Sequence, residues 1–196
     1  VSPSARSDRG RRVKIRFDAS QPYQLDAINA VLDVFEGQPL AAGAFEVHLE
    51  AAAGNGGLFT ELGTGNYLAL TQDAVLANLR GVQKRNGVAE STALAGMHFS
   101  VEVETGTGKT YVYLRTIHEL HRRHGFSKFI IVVPSVAIRE GVMASLRLTQ
   151  EHFATLYGNV AVDSWVYDSR QVSKLRQFAA ANTLQVLVIN IDAFNK

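Results

Sequence analysis

The chain has 196 residues, 46% of them hydrophobic, and a formal net charge of +2 at pH 7. That apolar content is enough for one core of ordinary domain size, and the absence of cysteine excludes both disulfide bridges and thiolate metal sites. The sequence also lacks the roughly 18 consecutive apolar residues of a membrane span and any secretory signal near its start, so we expect a cytoplasmic protein with no membrane partner.

Most of the positive charge lies at the beginning of the chain. Six basic residues and one acidic residue precede Phe17: Arg6, Arg9, Arg11, Arg12, Lys14 and Arg16 against Asp8. From Phe17 onward, 14 basic residues stand against 17 acidic ones, a net charge of −3. Residues 1–13 are therefore interpreted as a flexible basic arm, as a phosphate-binding tail, or as sequence that is not native to the domain.

Residues 14–37 contain a predicted amphipathic helix. It is expected to begin at Pro22, with Ser20 as its cap, and to end before Gly37. One stripe of this helix is apolar, at spacings of three and four residues: Leu25, Ile28, Val31, Leu32 and Phe35.

Residues 38–97 are interpreted as an insertion between core elements. As far as Asn66 the segment is rich in glycine and alanine and has no clear periodicity. A second amphipathic helix is then predicted from a cap at Thr71 to Gly87.

Residues 98–196 alternate between predicted strands and helices. Apolar and polar residues alternate from Phe99 to Glu104, a period of two that predicts a strand over 99–103. The later elements are a helix over 109–124, a strand over 129–133, helices over 135–148 and 149–157, a strand over 160–167, a helix over 171–181 and a strand over 184–191. Wholly apolar strands are typical of parallel sheets covered on both faces, so the sequence predicts a doubly wound α/β fold.

A phosphate-binding loop is predicted between the first of these strands and its helix: Thr105, Gly106, Thr107, Gly108, Lys109 and Thr110. The two glycines let the backbone turn so that successive N–H groups point at phosphate oxygens, and the helix directs its N-terminus at the same anion. Lys109 would place a positive charge on the β- and γ-phosphates, and the Thr110 hydroxyl would bind Mg²⁺. We expect Lys109 and Thr110 to be the catalytic residues of a nucleoside triphosphate site.

Three further motifs accompany the loop. Val103 stands where the strict loop pattern has glycine, and in this form the stretch VETGTGKT resembles motif I of superfamily 2 helicases and translocases. Gln21–Ile28 (QPYQLDAI) is similar to the glutamine motif, and Val132–Gly141 (VVPSVAIREG) stands where motif Ia is expected. Together with Val188–Lys196 (VINIDAFNK), these motifs resemble the Res subunit of type III restriction enzymes from about Lys14 to the end of the sequence.

The resemblance implies a three-layer RecA-like sheet, mostly parallel, that binds ATP and Mg²⁺. It implies an ATP-driven motor on double-stranded DNA that works with a modification (methyltransferase) subunit, and a full-length relative that is an ATP-dependent site-specific deoxyribonuclease. Residues 98–196 would be the partial ATP-binding core. The residues implied for adenine are Tyr23 and Gln24, and Gln24 would read the adenine edge with its amide donor and acceptor, which favours ATP over GTP. The residues implied for the nucleic-acid backbone are Pro134, Ser135, Arg139 and Asn190.

The sequence contains no Asp-Glu dipeptide, the motif II that holds Mg²⁺ and orients water in this family. Asp192 follows an apolar run as a magnesium ligand would, but Ala193 stands in place of the catalytic glutamate. We therefore expect a sheet that is incomplete at its C-terminal end, and catalysis by this chain alone stays open. The alternatives are a non-catalytic fragment that binds nucleotide or DNA, and a small P-loop kinase.

Other side chains near the loop have structural interpretations. Glu102 and Glu104 would repel a triphosphate, so they are expected on the solvated or edge side of the strand. Tyr111 and Tyr113 are expected to pack, and Trp165 is expected in the core. The three histidines of the 109–124 helix are expected to be solvated or to face the helix dipole rather than to bind a metal: His118, His121 and His124.

Overall fold

A computed structural model describes residues 16–40, 42–49 and 59–195, so the basic arm over 1–13 lies outside the described residues. The helices of the described part are α1 (Pro22–Asp33), α2 (Gln72–Arg85), α3 (Lys109–His124), α4 (Val136–Tyr157) and α5 (Val172–Ala180). The strands are β1 (Ala42–Leu49), β2 (Phe59–Asn66), β3 (Lys128–Val133), β4 (Val162–Val166) and β5 (Leu184–Asn190), followed by a 3-10 helix, Ile191–Asn195. Within these residues, no helix is long and apolar enough to cross a membrane.

The core is a parallel three-stranded sheet in the order β3-β5-β4. Residues 184–189 of the central strand β5 are all buried, as predicted for an apolar strand covered on both faces. The same prediction is wrong for β3, because Ile130 and Val132 of that strand are exposed. Leu114 and Ile117 of α3 and Phe153 of α4 pack against Leu184 and Val186 of β5. The α1 helix packs on the other side of α3, through Ile28 and Leu32. The predicted doubly wound α/β fold is confirmed.

The predicted strand over 99–103 is wrong, because residues 98–104 form no strand and belong to neither sheet. The alternation of apolar and polar residues indicates which face of a strand would be buried. A strand also needs a neighbouring strand to accept and donate its backbone hydrogen bonds. Within the described residues, the parallel sheet contains β3, β5 and β4 alone, and none of them pairs with this segment. Val101 is accordingly 47% exposed.

The segment predicted as an insertion, residues 38–97, contains an antiparallel hairpin of β1 and β2, in which Ala42 pairs with Asn66 and Leu49 with Phe59. Its base is fixed to the core by hydrogen bonds. The Asn66 side chain accepts from the backbone N–H groups of Ser127 and Lys128 at 2.8 and 3.0 Å. These contacts place the base of the hairpin at the start of β3, the amino edge of the parallel sheet.

Helix boundaries follow local signals in most cases. Thr71 caps α2 by accepting from the N–H of Ala74, as predicted. The predicted cap at Ser20 is wrong, because its N–H and hydroxyl both donate to Asp18 and Gln21 takes the cap position of α1. The two helices predicted over 135–157 are a single helix, α4. A break between two helices needs a helix-stopping residue, and neither glycine nor proline stands near the predicted boundary at Leu148 and Thr149.

Replacing two glycines by alanine should change the free energy of unfolding in opposite directions, because their backbone conformations differ. Gly125 ends α3 with φ +73°, a left-handed conformation that an L side chain disfavours, so Gly125→Ala should lower the free energy of unfolding by about 1 kcal/mol. Gly81 lies inside α2, and an added Cβ there meets nothing within 4 Å, so Gly81→Ala should raise it by about 0.5–1 kcal/mol.

Urea unfolding of the two variants and of the parent protein measures these changes in the free energy of unfolding. Effects of the same sign would contradict the assigned conformations.

Candidate functional site

The predicted loop enters α3 through two left-handed glycines. Gly106 has φ +85° and Gly108 has φ +86°, and Gly108 is the N-cap of α3. The first intrahelical bond runs from the N–H of Val112 to the carbonyl of Gly108 at 3.1 Å. The N–H groups of the residues before Val112 therefore have no intrahelical acceptor, and Lys109 opens the helix with an exposed side chain. This arrangement suits an anion.

The conformation of the loop is fixed from outside as well as from within. Within it, the Thr107 hydroxyl donates to the carbonyl of Glu104 at 2.7 Å. From α1, the Gln24 amide donates to the carbonyl of Thr107 at 2.9 Å. A Cβ added to Gly108 would lie 2.8 Å from the Gln24 Nε2, so only glycine allows this approach.

The two residues predicted to contact adenine differ in their surroundings. Gln24 is buried at 9% exposure, whereas its neighbour Tyr23 is 47% exposed. The Gln24 amide carries two N–H groups and a carbonyl oxygen, so its bond to Thr107 leaves one donor and one acceptor on the side chain. Tyr23 lines an open cleft of about 1280 Å³ that is bounded by α1, α2 and residues 98–107 and that Thr107 also lines.

The tyrosines that follow the loop pack into the core, as predicted. Tyr111 is 8% exposed, its ring stacks on Phe17 with centroids 5.9 Å apart, and its hydroxyl lies 2.8 Å from His152 Nε2. Burial raises the pKa of Tyr111 and of Tyr113, which keeps both phenols neutral at physiological pH. Their contribution to the site is the fixed direction of the first turn of α3.

The residues predicted to contact nucleic acid meet at the carboxyl edge of the sheet. Val133 of β3 is paired with Asn190 of β5, so Pro134 and Ser135 lie beside Asn190 where the two strands end. The Ser135 hydroxyl accepts from the N–H of Ile138 at 3.3 Å and caps α4.

The Asn190 side-chain oxygen accepts from the N–H of Asp192 at 3.1 Å. Arg139 lies in the first turn of α4 and forms an ion pair with Glu140 at 2.9 Å. The guanidinium of Arg139 is therefore already engaged by a carboxylate.

The loop and this edge lie toward the same end of the domain. Three residues, 125–127, separate α3 from β3, so the C-terminus of α3 is close to the amino edge of the sheet. Since α3 runs back along the strands, its N-terminus and the loop are directed toward the carboxyl edge, where ligands of open α/β sheets bind. Asp192 is exposed at that edge, and Ala193 beside it stands in place of the catalytic glutamate.

The expected solvation is wrong for His118 and His124, although His124 lies in the last turn of α3, where the expected alternative was a histidine that faces the helix dipole. His118 stacks on Tyr157 with ring centroids 5.2 Å apart, and His124 is buried with its Nδ1 3.0 Å from the carbonyl of Gln38. The helix dipole favours a charged histidine only where solvent reaches it, and here packing decides the position of the rings. Within the described residues, no group of three or more histidines or carboxylates could hold a metal ion.

A polar network on α3 was not anticipated from the sequence. Arg115 donates to the carbonyl of Ala19 at 2.6 Å and to the Tyr157 hydroxyl at 3.1 Å. The Tyr157 hydroxyl in turn donates to Glu119 at 2.9 Å. A signal was available, because Tyr111, Leu114, Arg115 and His118 follow the spacing i, i+3, i+4, i+7 and so lie on one face of α3.

The parallel three-stranded sheet and the glycine loop at the start of α3 are consistent with a RecA-like α/β domain. Residues 19–196 match the family described as "Type III restriction enzyme, res subunit". The chain belongs to that family.

Three curated relatives are similar to parts of this chain. The type III restriction-modification enzyme EcoPI Res subunit of Escherichia phage P1 is 30% identical over 79% of the chain, the StyLTI Res subunit of Salmonella typhimurium (strain LT2) is 35% identical over 50%, and the EcoP15I Res subunit of Escherichia coli is 38% identical over 46%. The aligned parts make up 15%, 12% and 10% of those proteins respectively, so the chain spans only a small part of their length.

The partly buried His118 predicts a pH dependence of stability. Burial, and then the charge of His121, lower the pKa of His118 from 6.5 to about 4. The folded protein therefore holds this histidine neutral while the unfolded chain protonates it, so stability present above pH 6.5 is lost as the pH falls to 4. The loss assigned to His118 is about 3 kcal/mol.

Urea unfolding at several pH values, with His118→Phe as the matched variant, isolates this contribution. The variant keeps an aromatic ring against Tyr157 but has no proton to bind, so its stability should fall less steeply between pH 6.5 and 4. Parallel curves for the two proteins would contradict the assignment.

Proposed function

We propose that this chain is the ATP-binding part of a helicase-like restriction subunit that moves along double-stranded DNA. The observation that carries the proposal is the bond from Gln24 to Thr107, which joins a side chain suited to adenine to a loop suited to phosphates. In this proposal the loop and Gln24 bind the nucleotide, and the carboxyl edge of the sheet binds DNA.

The phosphates would bind at the N-terminus of α3. The left-handed Gly106 and Gly108 turn backbone N–H groups toward the anion, and Lys109 adds a point charge for the β- and γ-phosphates. Thr110, in the first turn of the same helix, would supply its hydroxyl to Mg²⁺. Thr105 and Thr107 complete the loop, and Thr107 holds its shape through Glu104.

The base would be recognised by Gln24 and Tyr23. Adenine presents an acceptor at N7 and a donor at its amino group, which complement the remaining N–H and the oxygen of the Gln24 amide. Guanine presents acceptors at both N7 and O6, so the oxygen of Gln24 would face another acceptor. The exposed ring of Tyr23 would cover one face of the base.

DNA would contact the edge formed by Pro134, Ser135 and Asn190. Their geometry offers small hydroxyl and amide groups beside the start of α4, which suits a phosphate backbone and carries no base readout. Arg139 would join them on leaving Glu140 for a phosphate. The relatives are Res subunits of restriction-modification enzymes, so we propose a modification subunit as the protein partner.

Binding and hydrolysis are separate parts of this proposal. Hydrolysis needs an acidic residue for Mg²⁺ and a carboxylate that orients water, and the sequence has no Asp-Glu dipeptide. That observation favours a second candidate function, in which this chain binds nucleotide and DNA without turning ATP over. A P-loop kinase remains the third alternative, but it leaves the contact of Gln24 with the loop unexplained.

Loss of the loop lysine should weaken ATP binding. We expect Lys109→Ala to raise the Kd for Mg-ATP by about 10- to 100-fold, because a charge-assisted contact to phosphate contributes about 1.5–3 kcal/mol. Lys84→Ala is the matched control, since Lys84 is an exposed lysine in the last turn of α2. Isothermal titration calorimetry measures both, and equal affinities in the two variants would contradict the loop assignment.

Turnover assays separate the three candidate functions. With saturating Mg-ATP and duplex DNA, we expect the chain to bind ATP without releasing phosphate, because the sequence lacks the motif II carboxylates. Phosphate release stimulated by duplex DNA and lost in Lys109→Ala would show catalysis and assign the magnesium role to Asp192 or another acid. Phosphate transfer to a small acceptor would support a kinase instead.

A further inference from the structure

Arg115 joins α3 to the segment that precedes α1. Its Nη1 donates to the carbonyl of Ala19 at 2.6 Å, across 96 positions of the sequence. Its Nε donates to the Tyr157 hydroxyl at 3.1 Å. The guanidinium therefore holds the backbone just before the helix that carries Gln24.

The two long-range bonds close a ring between the loop and the base-reading helix. From Ala19 the chain runs to Gln24, whose amide bonds to Thr107. From Thr107 it runs along the loop and the start of α3 to Arg115, which returns to Ala19. Because each half of the ring is a short piece of chain, movement of Ala19 changes the position from which Gln24 reaches the loop.

The guanidinium is itself held in a fixed direction. The Tyr157 hydroxyl accepts from Arg115 and donates to Glu119, whose carboxylate also accepts from Arg122 at 2.7 Å. Burial raises the pKa of Tyr157 to about 12, so this hydroxyl keeps its proton and can fill both roles. An arginine placed in this way acts as a directional strut rather than as a diffuse charge.

We propose that Arg115 is a positioning residue for recognition of the nucleotide base, acting through Ala19 on Gln24. This inference rests on the proposed function, because it assigns a further residue to the same site. Arg115 touches neither the base nor the phosphates in this scheme. It sets the distance between the amide that reads adenine and the loop that binds phosphate, so its loss should affect the base and spare the triphosphate.

The test compares three ligands on each variant: Mg-ATP, Mg-GTP and Mg-tripolyphosphate, which has no base. For Arg115→Ala we expect the Kd for ATP to rise about tenfold, while those for GTP and tripolyphosphate change by less than about twofold. The preference for ATP over GTP should therefore fall about tenfold. Gln24→Ala should show the same pattern, and the double variant should add little, because both changes open one ring.

Arg147→Ala is the matched control. It removes one positive charge from an exposed position of α4, and Arg147 belongs neither to the ring nor to the bonds that hold the Arg115 guanidinium, so all three Kd values should stay as in the parent protein. Arg115→Lys should restore part of the preference for ATP, because an ammonium can still donate to Ala19 but lacks the planar fork that fixes the direction of the bonds to Ala19 and Tyr157 together. Melting temperatures of all variants show whether they are folded at the temperature of the titration.

The outcomes separate the two proposals. A parent protein that bound none of the three ligands, or bound them independently of Lys109, would overturn the proposed function. Normal binding by the parent, with an unchanged ATP preference in Arg115→Ala, would overturn only the role of Arg115. So would an equal loss of affinity for all three ligands, which is the result expected if Arg115 merely stabilises the fold.

Discussion

The hydrogen bond from Gln24 to the carbonyl of Thr107 is the contact on which the arrangement of the candidate site depends. It requires α1 to lie close against the loop, and the buried Ile28 and Leu32 hold α1 against α3 for that purpose. It also requires glycine at position 108, since any Cβ would meet the amide nitrogen at 2.8 Å. The packing of α1, the conformation of the loop and the proposed recognition of the base therefore all depend on the Gln24 side chain.

The parallel sheet separates the two ends of the domain. At the carboxyl edge, Pro134 and Asn190 lie side by side because β3 and β5 are paired in register. At the amino edge, Asn66 ties the hairpin to the first residues of β3. The base of the hairpin is thus attached at the end of the sheet opposite to the proposed nucleotide and DNA contacts.

Features fixed by local chemistry were predictable from the sequence, and features that depend on distant partners were not. The α3 helix was predicted to the residue, because Gly108 and Gly125 mark its ends and the loop motif marks its start. The strand over 99–103 failed because alternation says nothing about whether a neighbouring strand is present. Arg115 was missed for the same reason, since its partners Ala19 and Tyr157 are remote in sequence.

The segment before the loop pairs with no strand of the described part, so the loop must be held by other contacts. In a strand–loop–helix unit the strand and the helix normally fix the loop together, yet here residues 98–104 pair with no strand of the described part. Both glycines of the loop are nevertheless left-handed. Two bonds of Thr107 hold the loop: its hydroxyl donates to the carbonyl of Glu104, and its carbonyl accepts from the Gln24 amide. The arrangement of the loop therefore depends on α1 as much as on the sheet. Because Gln24 makes its bond to Thr107 with one N–H of the amide, the other N–H and the oxygen are the groups that the proposed recognition of the base would use.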